Sequence, residues 1–428
     1  MMNYFSKSKS ELKEIEKQLL KEYNDYKDMG LALDLSRGKP NAEQLDLSLP
    51  MLDLLKNAEN CKSEEGFDCR NYGICYGLPE AKRFFSSLTG IPCDNIIVSG
   101  NSSLNIMYDT LARAMLYGVV GSKRPWCREE KLKFLCPSPG YDRHFAVTES
   151  LGFELITVDM TKDGPDMDRV EALVKSDESI KGIWCVPKYS NPTGITYSDE
   201  TVERLAKMET AAEDFRIFFD NAYAVHDFAD EGDVLADIFE CAKKYGHENR
   251  IFYFTSTSKI TFPGAGISMF AASEENLEQI KPIIAVQTIG SDKLNQLRHV
   301  KFLQNKEAVY ALMKEHGKII ASKFEILLGT LKNELEGLGI AEWTEPKGGY
   351  FTSLNVLDGC AKAVYDLCRE AGVTLTKAGA TFPYGKDPRD KNLRLAPTYA
   401  SNDDLKLASK VLTCVVKLVC ARKILAEN

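Results

Sequence analysis

Short apolar runs bounded by turn residues alternate with amphipathic stretches between about residues 95 and 285. The runs are Asn95–Val98, Lys133–Cys136, Glu154–Val158, Gly182–Val186, Ile217–Asp220, Arg250–Phe254 and Ile267–Ala271. Runs of this length between turn signals predict buried strands. Helical patterns fall between several of them, at Ser102–Leu116, Asp142–Leu151, Asp166–Val174 and Ser198–Met208. This alternation predicts an α/β fold, with a mainly parallel sheet covered by helices on both faces. Sites in such sheets form beyond the carboxyl ends of the strands.

The pattern changes after residue 302. A long helical stretch covers about 303 to 336, followed by a strand at Tyr350–Leu354 and a helix at Cys360–Ala371. Short strands near Val373–Thr376 and Leu393–Leu395 and a closing helix from Asp403 complete a smaller α+β unit. The expected division is a large unit at 51–302 and a small one at 303–428, with residues 1–50 packing against the small unit.

Composition narrows the function classes. The chain has 428 residues, 44% hydrophobic and 27% charged, which suits globular domains with sizeable cores. A net charge of -8 argues against nucleic-acid binding, and no apolar run is long enough to span a bilayer. The start, Met1 to Lys7, lacks the apolar core of a signal peptide, and residues 7–28 look like an exposed charged helix. The 12 cysteines are scattered with no Cys-x-x-Cys pair, so free thiols in a reducing cytoplasm are expected. The 5 histidines lie far apart, and no metal site is expected.

Several polar clusters follow predicted strands. Lys259 sits in Ser256-Thr257-Ser258-Lys259, directly after Ile251-Phe252-Tyr253-Phe254 and before Gly264 and Gly266. A desolvated amine there would favour its neutral, nucleophilic form, and the surrounding hydroxyls could hold a phosphate. Both are what pyridoxal 5′-phosphate (PLP) requires of a Schiff-base lysine. Asp220 and Tyr223 follow Phe215–Phe219. A carboxylate there could pair with a cofactor ring nitrogen and the tyrosine with a ring oxygen; an N-cap aspartate beside a packing tyrosine would give the same pattern. Asn191, in Ser190-Asn191-Pro192-Thr193-Gly194, is presented by a stiff turn and could bond the same ring oxygen, or simply shape the turn.

Ser99-Gly100-Asn101-Ser102-Ser103 joins a strand to a helix, a natural phosphate site or a capped helix without a ligand. Tyr141, in Pro139-Gly140-Tyr141, could stack on a flat ring, with His144 one turn on to orient Asp220; a proline-rich loop with a core tyrosine is the alternative. Arg394 lies inside an apolar strand and needs an anion, either a substrate α-carboxylate or a structural partner. Arg37 and Lys39 flank Gly38 near the start and are candidates for a distal carboxylate, or solvated charges.

The order of these clusters resembles the fold-type I PLP-dependent aminotransferases of class I, over about residues 31–400. The stretch Ser-Thr-Ser-Lys-Ile-Thr-Phe-x-Gly-Ala-Gly is similar to the bacterial aspartate aminotransferase subgroup labelled MocR-like. The resemblance implies that Lys259 anchors the cofactor and moves the proton. It implies that Asp220, backed by His144, meets the pyridine nitrogen, that Asn191 and Tyr223 meet the phenolic oxygen, and that Tyr141 stacks on the ring. Asn101, Ser102, Ser256 and Ser258 would face the phosphate, joined by Tyr72 from a neighbouring subunit, which implies a homodimer with shared sites. Arg394, helped by Gly38, would hold the α-carboxylate. Many relatives carry an arginine eight residues after the lysine to pair with the phosphate, and here that position is Ile267.

The expected reaction is transamination between an L-amino acid and a 2-oxo acid, with aspartate and 2-oxoglutarate suggested by the subgroup. Arg37, Lys39, Lys377 and the Gln287–Arg298 segment are open candidates for the distal carboxylate. A C–S lyase or decarboxylase on the same fold would share the ring contacts. A ligand-sensing regulator would need a winged helix-turn-helix ahead of the domain, for which the roughly thirty residues before the resemblance are too few.

Overall fold

The apolar runs become strands because one sheet is buried on both faces. The computed structural model describes residues 3–427. The helix Lys9–Asp28 starts at a capping box between Ser8 and Glu11 and leads to the two-residue strand β1 (Leu33–Asp34). The central sheet then takes β2 (Ile96–Ser99), β3 (Lys133–Ser138), β4 (Glu154–Thr161), β5 (Gly164–Pro165), β6 (Ile180–Cys185), β7 (Arg216–Asp220), β8 (Ile251–Ser256) and β9 (Ser268–Ala271). Their spatial order is β2-β9-β8-β7-β6-β3-β4-β5. Side chains alternate between two apolar layers, as the twofold period of a strand requires. Ile183, Ile217, Phe219, Ile251 and Met269 enter one layer, and Trp184, Phe218, Phe252, Phe254 and Phe270 the other. The second layer is an aromatic ladder in which Phe218 stacks on Phe254 with centroids 5.7 Å apart.

Pairing is parallel from β4 through β3, β6 and β7 to β8. Strand β9 runs antiparallel to both its neighbours, β8 and β2. The reason is chain length: residues 257–267 hold no crossover helix, and a parallel return needs a dozen or more residues. That tight return is the segment that carries Lys259. Because β2 regains the direction of β8, the carboxyl ends of β2, β3, β6, β7 and β8 all open on one edge. The α/β expectation, with a mostly parallel sheet, therefore holds.

A second core lies under an antiparallel sheet of β10 (Ala341–Trp343), β11 (Thr352–Val356) and β13 (Asn392–Leu395), ordered β10-β11-β13. Strand β12 (Val373–Thr374) pairs instead with β1, in parallel. The helices Lys306–Leu335, Ala361–Glu370 and Asn402–Glu427 cover this core, and Leu12, Leu19 and Tyr23 of the N-terminal helix are buried in it. A small cluster of Val186, Tyr189, Tyr223, Phe324, Tyr350 and Phe351 joins the two regions below the strand ends.

Local boundaries shift where tertiary pairing decides them. Strand β4 runs three residues past the expected Val158, because β5 folds back on Met160 and Thr161. The stretch read as one helix from 303 begins at Lys306, since Gln304 turns the chain at φ 53° after a separate helix, Lys293–Leu303. Among the described residues, no helix is long and apolar enough to cross a membrane.

Candidate active site

Lys259 projects from the β8–β9 return into a cavity of about 400 Å³ at the strand ends. The return is clasped by Thr257, whose N–H donates to the Ile267 carbonyl at 2.8 Å and whose Oγ1 accepts from the Ile267 N–H at 3.0 Å. Asn295 Nδ2 donates to the Gly266 carbonyl at 2.7 Å, tying the far end down. The Lys259 ammonium lies 4.8 Å from the Tyr223 ring centroid. Burial lowers the lysine's pKa below the ordinary value, against an opposing pull from the Asp220 charge.

Asp220 closes β7 on the cavity wall. Its Oδ2 lies 3.0 Å from His144 Nε2, and its Oδ1 is buried without a hydrogen-bond partner. His144 is held by stacking on Trp184, with centroids 4.2 Å apart. A buried, half-satisfied carboxylate oxygen is costly unless a donor reaches it. Tyr141 borders the same space, and burial, with the Asp142 and Asp220 charges behind it, pushes its hydroxyl up to about 12. Burial also raises the Tyr223 hydroxyl well above its usual value.

Opposite the lysine, Arg394 Nη1 donates to Asp142 Oδ1 at 2.9 Å and to Asn191 Oδ1 at 3.4 Å, and its Nε donates to Thr376 Oγ1 at 3.3 Å. The guanidinium lies 5.1 Å over the Phe351 ring. Asp142 thus occupies an arginine at the cavity wall as a substrate carboxylate would. Asn191 uses its oxygen on Arg394, which leaves its amide nitrogen for another acceptor. Gly38 lines the cavity because Phe351 lies where a Cβ would stand.

At the far end, Ser256 Oγ donates to Ser258 Oγ at 3.0 Å, and Ser258 Oγ also lies 3.2 Å from the Asn101 carbonyl. Ser102 caps the helix Ser103–Tyr117, accepting from the Leu104 N–H at 3.2 Å. Ile267 is buried and spends its backbone groups on Thr257, so this end offers hydroxyls and helix-terminal N–H groups.

Lys259, Asp220, Tyr223, Asn191, Tyr141, Ser102, Ser256, Ser258, Gly38 and Arg394 thus meet around one cavity, with His144 directly behind. Three expected residues lie outside it within this chain. Asn101 turns only its carbonyl inward, and its side chain is exposed. Arg37 is paired with Asp34 at 2.8 Å. Tyr72 is 78% exposed on the surface. Asp142, Arg143 and Phe351 line the cavity without having been anticipated. Asp142 and Arg143 stand between Tyr141 and His144, two residues the sequence did single out.

Two buried histidines, His299 and His316, are held in their neutral form. His299 Nδ1 donates to the Asn295 carbonyl at 2.7 Å, which leaves Nε2 to accept from Thr261 Oγ1 at 2.9 Å. His316 Nδ1 accepts from Gln44 Nε2 at 3.0 Å. Burial depresses both to about 4. A pKa depressed in the fold means that the unfolded chain binds more protons between about pH 6.5 and 4, so stability falls as pH falls through that window. Each histidine is expected to cost about 2 kcal/mol between pH 7 and 5. Urea unfolding at the two pH values tests this, and His299→Gln should flatten the dependence. An unchanged slope in that variant would refute the assignment.

Aminotransferases of fold type I share this architecture and this placing of the site. The chain belongs to the aspartate amino-transferase family, whose model matches residues 7–428. It is 44% identical to aspartate aminotransferase of Corynebacterium glutamicum, over 92% of this chain and 91% of that one. The crystal structure of an aspartate transaminase from the same organism matches at a TM-score of 0.96 and 41% identity, covering 99% of both chains. LysN, the α-aminoadipate aminotransferase of Thermus thermophilus, shares the fold at a TM-score of 0.74 and 20% identity, covering 94% of this chain and 95% of its own. The protein is an aminotransferase.

Proposed function

We propose that the enzyme uses PLP to exchange the amino group of L-aspartate with 2-oxoglutarate, working as a homodimer. The observation that carries the cofactor is the orphaned Asp220 Oδ1, buried at the wall of the cavity that Lys259 enters. A ring N–H is the donor this oxygen lacks, so the residues fit the group. PLP, when bound, supplies a ring that takes up the electrons of the substrate's α-C–H bond.

The chain's own groups do the rest. Lys259 would hold the cofactor aldehyde, and its amine, whose pKa burial lowers, would move the proton between the substrate's α-carbon and the adjacent carbon. Asp220 keeps the ring nitrogen protonated, and His144 fixes the carboxylate's orientation. Tyr223 and the Asn191 amide nitrogen would hold the ring oxygen, and Tyr141 would pack on the ring. Ser102, Ser256 and Ser258, with the helix N-terminus behind them, receive the phosphate with neutral donors in place of the arginine that Ile267 replaces. Arg394 exchanges Asp142 for the substrate's α-carboxylate.

Aspartate as donor is supported by the name of the Corynebacterium glutamicum relative. The homodimer is supported by a patch of exposed apolar side chains. Tyr72, Val286 and Ile289 are 78%, 88% and 61% exposed, and Cys75 Sγ reaches the Ile289 carbonyl at 3.3 Å, which brings their two segments together. A second copy would cover it and bring its own Tyr72 to the phosphate end.

The test is the visible spectrum of the PLP-loaded enzyme. L-Aspartate should bleach the long-wavelength band, and 2-oxoglutarate should restore it. Bleaching by L-alanine alone would keep the reaction and reject the donor. Release of carbon dioxide or a thiol without recovery of the band would favour a decarboxylase or lyase.

A further inference from the structure

The Lys259 ammonium lies over two tyrosine rings. The Tyr223 centroid is 4.8 Å away and the Tyr350 centroid 6.0 Å, and the two rings are 6.1 Å apart and tilted by 30°. Tyr223 has a task at the cofactor's ring oxygen in the reading above, and Tyr350 has none. Tyr350 is fully buried, and its hydroxyl is spent on Gln44, whose Nε2 donates to it at 3.0 Å. The same amide nitrogen donates to His316 Nδ1 at 3.0 Å, and Gln44 is itself fully buried. What Tyr350 offers the amine is therefore its ring.

The local sequence explains how a residue just ahead of β11 arrives there. Gly348 and Gly349 precede it, and a Cβ on either would collide with the Tyr189 side chain. Gly349 turns the chain at φ 79°, and its N–H donates to the His226 carbonyl at 2.9 Å. The His226 ring meets both tyrosines edge-to-face, with centroids 5.6 Å from Tyr223 and 6.1 Å from Tyr350. Burial and the Lys259 charge hold this histidine's pKa well below its ordinary value, so it braces the rings without adding a positive charge. The titratable and charged groups around the amine are thus Asp220, His226, Tyr141, Tyr223, Tyr350 and Arg394. Asp220 favours the ammonium and burial opposes it. The negative face of an aromatic ring also favours the ammonium, over a reach of about 6 Å.

We propose that Tyr350 is a positioning residue for Lys259: its ring completes a π-lined seat that holds the amine beside the cofactor site and stabilises its protonated form. A lysine that takes a proton from one carbon and returns it to another must keep that proton in a desolvated cavity, and the seat serves this step. The inference rests on the PLP reading above.

The test follows the pH dependence of PLP capture by the full chain, free of cofactor, read as the rise of the visible band. Capture needs the neutral amine, so its midpoint reports the proton affinity of Lys259. Tyr350→Met keeps apolar bulk and removes the π-face, and the midpoint should fall by about 0.4–1.5 pH units, the loss of one desolvated cation–π contact. Tyr350→Phe keeps the face and should keep the wild-type midpoint. Tyr350→Phe with three ring fluorines keeps the shape but withdraws charge from the face, so its midpoint should fall towards that of Tyr350→Met. This variant decides the matter where the methionine variant fails to fold. A midpoint unmoved or raised in the fluorinated variant would overturn the inference, since packing alone leaves it in place and water entering the site raises it. A wild type that develops no visible band with PLP would overturn the PLP reading, and this inference with it.

Discussion

Lys259→Ala is expected to lower the rate of amino-group transfer by a factor on the order of 10⁴ or more, since in the proposed function one residue supplies both the covalent anchor and the proton carrier. The fold should survive. The side chain ends over the Tyr223 ring and makes no hydrogen bond to the backbone, so its loss empties space without breaking a network. Its amine is depressed in the fold, which means that below the depressed pKa the folded chain must carry a charge that burial disfavours. That penalty disappears as pH rises through the window between the depressed value and the ordinary lysine value, because the unfolded chain binds more protons there. The alanine variant should therefore match or exceed wild-type stability near neutral pH, while wild type gains relative to it towards alkaline pH. Single-turnover transamination and urea unfolding, run on one preparation, separate the two effects. A variant within tenfold of the wild-type rate would remove the lysine from its role.

Asp220→Asn is expected to reduce kcat by about 10²–10³, the magnitude typical of one preorganised electrostatic contact. Asparagine keeps the size of the side chain and can still bond His144, but it cannot hold a proton on a ring nitrogen by charge. The loss should fall on kcat more than on KM, because the contact matters most when negative charge develops on the ring. Stability should move the other way. Wild type buries Oδ1 without a partner, and an unsatisfied buried group costs on the order of 1–3 kcal/mol, more if charged. The cofactor-free variant should therefore be at least as stable as cofactor-free wild type. A fall in kcat with an equal fall in stability would indicate a structural aspartate.

Much of the fold was legible because a sheet buried on both faces writes continuous apolar runs, as β6, β7 and β8 do. The helices between 274 and 303 left no comparable signal. Glu274–Gln287 carries Pro282 inside it. Lys293–Leu303 buries Lys293, Asn295, Gln296 and His299, polar residues turned inward to bond the lysine return and its surroundings. Their hydrogen-bond partners are distant in sequence, so no periodicity could mark that face as buried. The same holds for β1, a two-residue strand defined only by its pairing with β12.

The sequence by itself determined which chemical groups stand beyond which strands. Lys259, Asp220, Asn191 and Tyr141 each follow an apolar run, and parallel strands must deliver their ends to one edge. Tertiary structure alone decided which charges meet. Arg37 and Arg394 read alike as arginines in search of an anion, yet Arg37 finds Asp34 three residues away, while Arg394 crosses to Asp142, on a different sheet's connection. The physical reason is range. Burial and periodicity are local properties of the chain, whereas an ion pair depends on where two distant backbones place their side chains.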